Sequence, residues 1–299
     1  MDRQKKIKYS TGDRFFMGVL YVFLILILIV VLYPLLYVVS ASFSSPGAVS
    51  SGKVFLLPVE PTLLGYEAVF KNTKIISGFL NSVFYLIAGT VLQLAMTMLA
   101  AYPLSRREFT GRTVIGGIFV FTMYFSGGLV PSYMLMRNLH LLDTRSGLII
   151  SSAMSVWNVI IARTYLQTTI PDELFEAAEL DGCSIIKFFT KIVLPLSKPI
   201  IAVLVLYYGV GNWNSYFNAM MYLKSQDLYP LQLVLREILA LGKVDLTAVT
   251  SVEALRNTQG LSVLLKYCVI VVSSVPMMLI YPLVQKHFVK GVMIGSLKG

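Results

Sequence analysis

The sequence predicts an all-α, polytopic membrane protein with six transmembrane helices. Hydrophobic residues make up 56% of the 299 residues and charged residues only 13%, whereas a soluble domain carries roughly 25% charged residues. The apolar residues are gathered into long charge-free runs, and a membrane-spanning helix needs about 20 mostly apolar residues. These runs predict spans near residues 16–41, 75–103, 113–136, 146–166, 199–223 and 262–285.

A basic tail, residues 1–14, precedes the first span, whose apolar stretch is too long for the hydrophobic region of a signal peptide. Lys and Arg are concentrated in this tail and in the connection 104–112, and an excess of these residues marks the cytoplasmic side of a membrane protein. We therefore predict that both termini are cytoplasmic, that residues 15–285 form the membrane domain and that residues 286–299 form a C-terminal tail. This topology accounts for the net charge of +10, and no basic patch is interleaved with the aromatic residues that a nucleic-acid-binding surface would need.

The polar residues of the second span include Asn81, Thr90, Gln93 and Thr97. Small and polar side chains of this kind hydrogen-bond membrane helices to one another. Packing between helices is therefore favoured over contact with a transported substrate.

The third span ends in an irregular stretch, in which Gly127, Gly128 and Pro131 interrupt the helix at membrane depth. Broken helix geometry is tolerated there only against protein or a water-filled cavity. One interpretation is the outer mouth of a translocation path, with Tyr124 and Tyr133 beside it. A capped helix end accounts for the same residues equally well.

The fifth span concentrates amide and aromatic side chains. They are Asn212, Trp213, Asn214, Tyr216 and Asn218. Amides in an apolar helix are costly unless they face a partner or a cavity, and amides beside flat rings suit a neutral, hydroxyl-rich ligand. A belt of aromatic residues at the outer membrane interface is the competing interpretation. The sequence leaves both open.

The connection 171–195 is too rich in charged residues to lie inside a membrane. Pro171 and the two acidic residues after it suit the first turn of a helix, and Gly182 suits the left-handed conformation that ends one. We predict two short helices around this glycine, the second covering 184–193 and ending before Leu194. One face of the first helix is predicted to be formed by Leu174, Ala177, Ala178 and Asp181.

This connection contains the pattern E-A-A-x-x-D-G-x9-I-x-L-P, which resembles the EAA loop of bacterial ABC import permeases. Its fixed positions are Glu176, Ala177, Ala178, Asp181, Gly182, Ile192, Leu194 and Pro195. In that family the first short helix is a cytoplasmic coupling helix, which sits in a cleft of a separate ATPase subunit. The resemblance implies that Glu176 contacts the ATPase. It also implies that Ala177, Ala178 and Gly182 permit a close fit, and that Asp181 supports the turn.

The same resemblance implies the partners of the chain. They are a homologous second permease subunit, a cytoplasmic ATPase dimer and an extracellular solute-binding protein, assembled in a bacterial cell membrane. ATP and Mg would be bound by the ATPase, so no cofactor is expected on this chain, and it contains no G-x-x-x-x-G-K-[ST] pattern. The two cysteines, Cys183 and Cys268, form neither a disulfide framework nor a metal-binding spacing.

Three further stretches resemble the permeases of carbohydrate importers. S-G-G-L-x-P-x-Y at 126–133 is similar to the branch that imports complex oligosaccharides, and W-N-x-Y at 213–216 is similar to a carbohydrate-permease signature. The C-terminal tail resembles the end of maltose-type permeases, which reaches toward the ATPase pair, and the matching positions include Gly295 and Lys298. An oligosaccharide is therefore the expected substrate.

Three other functions compete with this one. An ABC permease for a peptide or an amino acid would share the EAA loop, but the charge-free runs offer no buried counter-charge for a charged substrate. A membrane-embedded glycan-modifying enzyme would need a pair of carboxylates or histidines at one membrane face. The acidic residues within 172–181 could supply such a pair, but they coincide with the EAA pattern. An assembly scaffold without transport would leave the asparagines of the fifth span unexplained. We expect a transport subunit that is not itself an enzyme.

Overall fold

The computed structural model describes residues 10–241 and 260–279, and within these ranges every regular element is a helix. In chain order the helices are α1 (Thr11–Ser42), α2 (Pro46–Ser50), α3 (Leu64–Lys71), α4 (Thr73–Ser105), α5 (Arg112–Tyr124), α6 (Leu129–Asn138), α7 (Arg145–Ile150), α8 (Val156–Thr169), α9 (Asp172–Leu180), α10 (Ile185–Phe188), α11 (Leu194–Leu196), α12 (Lys198–Asn214), α13 (Phe217–Tyr222), α14 (Leu231–Leu241) and α15 (Gly260–Leu279). A π-helical turn at Phe189–Val193 joins α10 to α11, and a 3₁₀ turn at Gln226–Leu228 precedes α14. The all-helical fold class is confirmed for this part of the chain.

The described residues form two compact units, residues 10–71 with 260–271 and residues 72–241 with 272–279. In the first unit, α1 is apolar on all sides and exposes most of its side chains, as a helix that faces lipid does. Its C-terminal end is the part that packs within the unit. There Ser40 Oγ donates a hydrogen bond to the carbonyl of Leu56 over 2.6 Å, and the hydroxyls of Ser42 and Tyr66 lie 2.8 Å apart.

Helix α4 is the centre of the second unit and packs against α8, α12 and α14. Its polar side chains make bonds to other elements, as the sequence predicts. Asn81 Nδ2 donates to the carbonyls of Asp227 and Tyr229 over 2.6 and 3.1 Å, and the hydroxyls of Thr97 and Tyr208 lie 2.6 Å apart. These bonds hold α4 to its neighbouring elements.

The six predicted spans are only partly reproduced as continuous helices. Within residues 10–241 and 260–279, three helices, α1, α4 and α15, are each long and apolar enough to cross a membrane. The count rises to as many as five spans when each of two bent helix pairs is taken as one. The first pair is α5 with α6, which meet at 115°, and the second joins Ile185–Leu196 to α12 at 78°.

The predicted interruption of the third span is confirmed at Gly128. Its φ of 85° lies in the left-handed region, which glycine adopts at little cost, and α6 starts at the next residue. The fourth predicted span, 146–166, instead consists of α7 and α8, which are 6 and 14 residues long. Ser151 to Ser155 separate them, so no single helix covers this region.

Hydrogen bonds to Asp143 join the segment after α6 to the segment after α13. The backbone N–H groups of Lys224 and Ser225 donate to Asp143 Oδ1 over 2.8 and 2.9 Å, and Ser225 Oγ donates to Asp143 Oδ2 over 2.6 Å. These bonds stabilise the carboxylate, the hydroxyl of Ser225 most strongly, and they lower the pKa of Asp143 below its usual value. Asp143 also has a φ of 55°, a conformation that Asp tolerates better than most residues.

Candidate functional site

Helix α9 begins and ends at sharply defined residues. Pro171 is extended and precedes the helix, whereas it was predicted to be the first helical residue. Asp172 and Glu173 occupy the first turn, where the helix dipole favours negative charge. At the other end the N–H of Gly182 donates to the carbonyl of Glu179 and the N–H of Cys183 to that of Ala178, both over 2.9 Å. This pair of bonds is a Schellman motif.

Gly182 is the residue that this motif requires. Its φ of 70° is left-handed, as the sequence predicts. An added Cβ there would meet no heavy atom within 4 Å, so the requirement for glycine arises from the backbone conformation and not from crowding within the described chain.

The two alanines of the predicted motif face in different directions. Ala178 is 8% exposed and packs in an apolar cluster with Phe188 and Val193, beside the partly buried Leu174 and Phe175. Ala177 is exposed. The prediction that the alanines share one face with Leu174 and Asp181 is therefore wrong, because the inward stripe of α9 is formed by 174, 175 and 178, and Asp181 is exposed.

The outward side of this segment is an exposed surface that combines acidic and apolar side chains. We call it the loop surface, and it comprises Glu176, Ala177, Glu179, Leu180, Ile185 and Ile186, all exposed. Leu180 is 91% exposed and Ile186 is 77% exposed, although the charged residues of this segment predict that it lies outside the membrane. The sequence did not lead us to predict that Leu180, Ile185 and Ile186 are exposed. It contained the signal, because Leu180 ends α9 and Ile185 begins α10, and at these positions they cannot reach the small apolar core beneath α9.

A buried arginine connects α9 to the end of the central helix α4. Arg106 is 8% exposed, and its Nη1 lies 3.4 Å from Asp172 Oδ1 while its Nη2 lies 3.1 Å from Glu108 Oε1. Its guanidinium also lies over the ring of Phe175 at 4.0 Å, a cation–π contact. Arg107 Nε is 3.4 Å from the other oxygen of Asp172. We call this group the Arg106 joint. In the sequence alone, both arginines indicated only which side of the membrane is cytoplasmic.

The second short helix does not end where it was predicted to end. After α10 the chain continues through the π turn, in which the N–H of Leu194 donates to the carbonyl of Phe189, and α11 then extends to Leu196. A π turn accommodates Pro195, because an extra residue per turn relieves the hydrogen bond that proline cannot make. Only Ser197 separates this helix from α12. Ile185 and Ile186 of the loop surface are therefore connected to α12 by a short helical path that bends by 78° at Ser197.

The fifth-span residues fall into two groups. Three of them make bonds inside the second unit. Asn212 Nδ2 donates to Thr90 Oγ1 over 3.2 Å and to Gln93 Oε1 over 2.8 Å. Trp213 is 2% exposed and its Nε1 donates to the carbonyl of Ser273 over 2.9 Å. Asn218 Nδ2 donates to Ser152 Oγ over 3.2 Å. These bonds give the three residues a structural role.

The remaining candidates of the substrate path are accessible. Among the described residues, Asn214 bonds only the carbonyl of Val210 in its own helix; it is exposed, and Tyr216 is exposed as well. Tyr124 is 79% exposed and Tyr133 is partly buried. Gly295 and Lys298, the predicted tail positions, lie outside the described residues.

Comparison with known proteins identifies the family. No family model matches the chain. Protein LplC of Bacillus subtilis (strain 168) is 39% identical over 270 residues, 90% of each chain. The polygalacturonan/rhamnogalacturonan transport system permease protein YtcP of the same organism is 37% identical over 290 residues, 96% of this chain and 99% of that protein.

A solved structure is similar along almost the whole chain. It is the crystal structure of a bacterial ABC transporter involved in the import of the acidic polysaccharide alginate. The TM-score is 0.89 at 35% sequence identity, and the match covers 95% of this chain and 100% of that one. Since YtcP and the chain of the alginate transporter are carbohydrate transport proteins, matched at 37% and 35% identity over nearly their full length, this chain belongs to the permease subunits of carbohydrate ABC transporters.

Proposed function

We propose that this chain is one permease subunit of an ABC importer that moves acidic oligosaccharides across a bacterial cell membrane. The observation that carries the proposal is the match at 35–37% identity, over at least 95% of the chain, to transport proteins of this kind. Alginate is named as an acidic polysaccharide, and polygalacturonan is a polymer of a sugar acid. An acidic substrate differs from the neutral ligand that the amides of the fifth span favoured, and because the charge-free runs of this chain offer no counter-charge, the substrate's charge would be met by groups outside them.

The proposed topology has six spans, both termini in the cytoplasm and the segment 171–195 on the cytoplasmic side. Helices α1, α4 and α15 and the bent pair of α5 with α6 support four of these crossings. Helix α12, which follows the cytoplasmic segment, would make the fifth. The sixth would be made by α7 and α8 together. The termini are placed by the excess of Lys and Arg in the tail and in 104–112.

The loop surface is proposed to dock on a cytoplasmic ATPase dimer, which binds ATP and Mg. Glu176 and Ala177 are exposed and free to meet the partner. Ala178 packs against the apolar core beneath α9, Asp181 is the C-cap residue of α9, and Gly182 forms the left-handed turn after it. The apolar side chains of Leu180 and Ile186 would be covered in the complex, since exposed apolar patches of this kind mark interaction sites. The tail positions Gly295 and Lys298 are proposed, by resemblance, to face the same ATPase.

ATP-driven closure of the dimer would move the loop surface, and two connections would carry that movement into the membrane domain. One is the Arg106 joint to α4. The other is the helical path through the π turn to α12. Because α4 and α12 pack against each other, both connections reach the same pair of helices.

The substrate would pass between this chain and a homologous second permease, delivered by an extracellular solute-binding protein. Of the candidate residues, Asn214, Tyr216, Tyr124 and Tyr133 are the ones that remain accessible. Asn212, Trp213 and Asn218 would support the path by holding α12 and α13 in place.

Co-purification and transport test the proposal together. The chain is purified from its native membranes in mild detergent, its partners are identified, and the complex is reconstituted with the binding protein. Import of oligogalacturonate or alginate fragments is then compared with that of a neutral oligosaccharide of equal length. We expect an ATPase and a second permease, with ATP-dependent import of the acidic sugar. Import of the neutral sugar alone would overturn the acidic substrate, and a chain that never binds an ATPase would overturn the importer.

A further inference from the structure

A cavity of about 590 Å³ adjoins the Arg106 joint between the ends of α4 and α8 and the starts of α5 and α9. Its volume falls within the roughly 300–1,000 Å³ of typical small-molecule sites. We call it the arginine cavity, because its lining includes Arg106, Arg107, Arg112 and Arg163 against the two acidic residues Asp172 and Glu173. The coupling role proposed above uses the joint but not the cavity.

The four arginines are not equally engaged. Arg106 and Arg107 both contact Asp172. Arg112 and Arg163 make no ion pair within the described part of the chain. The Nε of Arg163 is buried and has no hydrogen-bond partner among the described residues. A buried N–H without an acceptor is rare and unfavourable, so this group indicates an anion that approaches from the cavity.

The surroundings of the cavity indicate which anion. Guanidinium groups match the oxygens of a phosphate by paired, charge-assisted hydrogen bonds. Helix α5, which contributes Arg112 to the rim, buries none of its residues, and its apolar side chains Val114 and Ile118 are 68% and 55% exposed. A phosphate ligand with attached acyl chains could therefore place its headgroup among the arginines and its chains along α5.

We propose that the arginine cavity binds the phosphate of an anionic phospholipid. Basic pockets between membrane helices at the cytoplasmic side are suited to such headgroups, and the side assigned to this cavity rests on the proposed function. Because Arg106 and Arg107 belong to both the cavity and the contact with Asp172, a bound phosphate adds negative charge beside the joint between α4 and α9. Occupancy of the cavity then tunes how firmly the loop surface is connected to α4.

The test uses the full chain within its purified complex and phosphatidylglycerol as the probe. Binding is titrated by native mass spectrometry for the wild type and for Arg112→Gln/Arg163→Gln, neither of which is assigned to the coupling contacts. Each arginine near a membrane surface contributes about fivefold to anionic-lipid binding, so we expect about 30-fold weaker binding in the double variant. The charge-matched control Arg137→Gln/Lys224→Gln, on exposed residues away from the cavity, should bind like the wild type.

Further measurements distinguish a lipid headgroup from other anions and show whether the variants are folded. Arg112→Lys/Arg163→Lys keeps both charges and should recover most of the binding. Phosphatidylcholine should bind equally weakly to all variants. Displacement of the lipid by millimolar inorganic phosphate would show that free phosphate is the ligand and overturn the lipid. Displacement by oligogalacturonate would assign the cavity to the substrate. Equal loss in the control variant would also overturn the proposal. Because lipid binding is measured without transport, its failure is distinguishable from failure of the importer.

Discussion

Two regions of this chain carry the residues that its sequence marked as functional, and the structure treats them differently. In the segment 171–195, the motif residues Glu176, Ala177 and Asp181 are exposed and available to a partner. In the fifth span, Asn212 and Trp213 are held by hydrogen bonds within their own unit. One region presents its marked residues outward, and the other uses most of them to hold itself together.

The difference follows from the solvent around each region. A short helix in water needs little beyond its caps and a narrow apolar stripe, so an exposed residue such as Glu176 is not required for folding and points to a partner. An amide inside an apolar helix must find a hydrogen-bond partner in any case. The presence of Asn212 in the span therefore does not distinguish Gln93 from a sugar as its partner. Local motifs in water are easier to interpret than polar residues in a span.

The largest expected effect is at Gly182, in the first region. Gly182→Val places a β-branched residue at a φ of 70°, which such residues adopt only at a cost of about 1–3 kcal/mol. We expect the Schellman motif to break and the loop surface to shift, so that ATP-driven import falls at least about tenfold, the equivalent of 1.4 kcal/mol. The membrane fold should persist, because a Cβ added at Gly182 meets no heavy atom within 4 Å among the described residues. Import and ATP hydrolysis are measured in proteoliposomes.

Gly182→Asn is the matched control, since Asn tolerates the left-handed conformation much better than Val. It should import at close to the wild-type rate. If the Val variant also imports at that rate, this segment does not couple ATP hydrolysis to transport. If both variants fail equally, the glycine is needed for contact with a partner and not for its backbone conformation.

A smaller effect is expected at the Arg106 joint. Arg106→Gln removes the charge that faces Asp172 and Glu108 and the contact with the Phe175 ring. Because the side chains of Glu108 and Asp172 are 60% and 36% exposed, we expect these contacts to contribute about 1 kcal/mol, which corresponds to a loss of about fivefold in import per ATP hydrolysed. Arg107→Gln is the comparison, because Arg107 also contacts Asp172 but its side chain is 82% exposed. Exposed pairs contribute about 1 kcal/mol or less, so import should change little. Equal effects of the two variants would exclude burial as the source of the coupling.

The sequence predicted the parts of this fold that depend on local rules. The acidic first turn of α9, the left-handed Gly182 and the break at Gly128 all follow from the conformational preferences of single residues. It did not predict the split of 146–166 into α7 and α8, because composition alone does not show where an apolar run is interrupted. The Arg106 joint was also missed, since Arg106 and Asp172 are distant in the chain and only the packing of α9 under α4 brings them together.

The smallest expected effects distinguish the two groups in the fifth span. Asn212→Ala leaves Thr90 and Gln93 without their donor. Hydrogen bonds between membrane helices average about 0.6 kcal/mol each, so we expect a loss of about 1 kcal/mol in the free energy of unfolding. The melting temperature should then fall by about 2–4 °C. The sugar concentration that half-saturates import should stay unchanged.

Asn214→Ala should affect sugar binding and not stability, because among the described residues Asn214 bonds only the carbonyl of Val210 in its own helix. Thermal unfolding should match the wild type, whereas the half-saturating sugar concentration should rise several-fold, as expected from the loss of one substrate hydrogen bond of about 1 kcal/mol. Both quantities are measured on the same reconstituted complexes. If Asn212→Ala weakened sugar binding at unchanged stability, the internal bonds of Asn212 would have to open during transport. The two regions would then differ less than their resting geometry indicates.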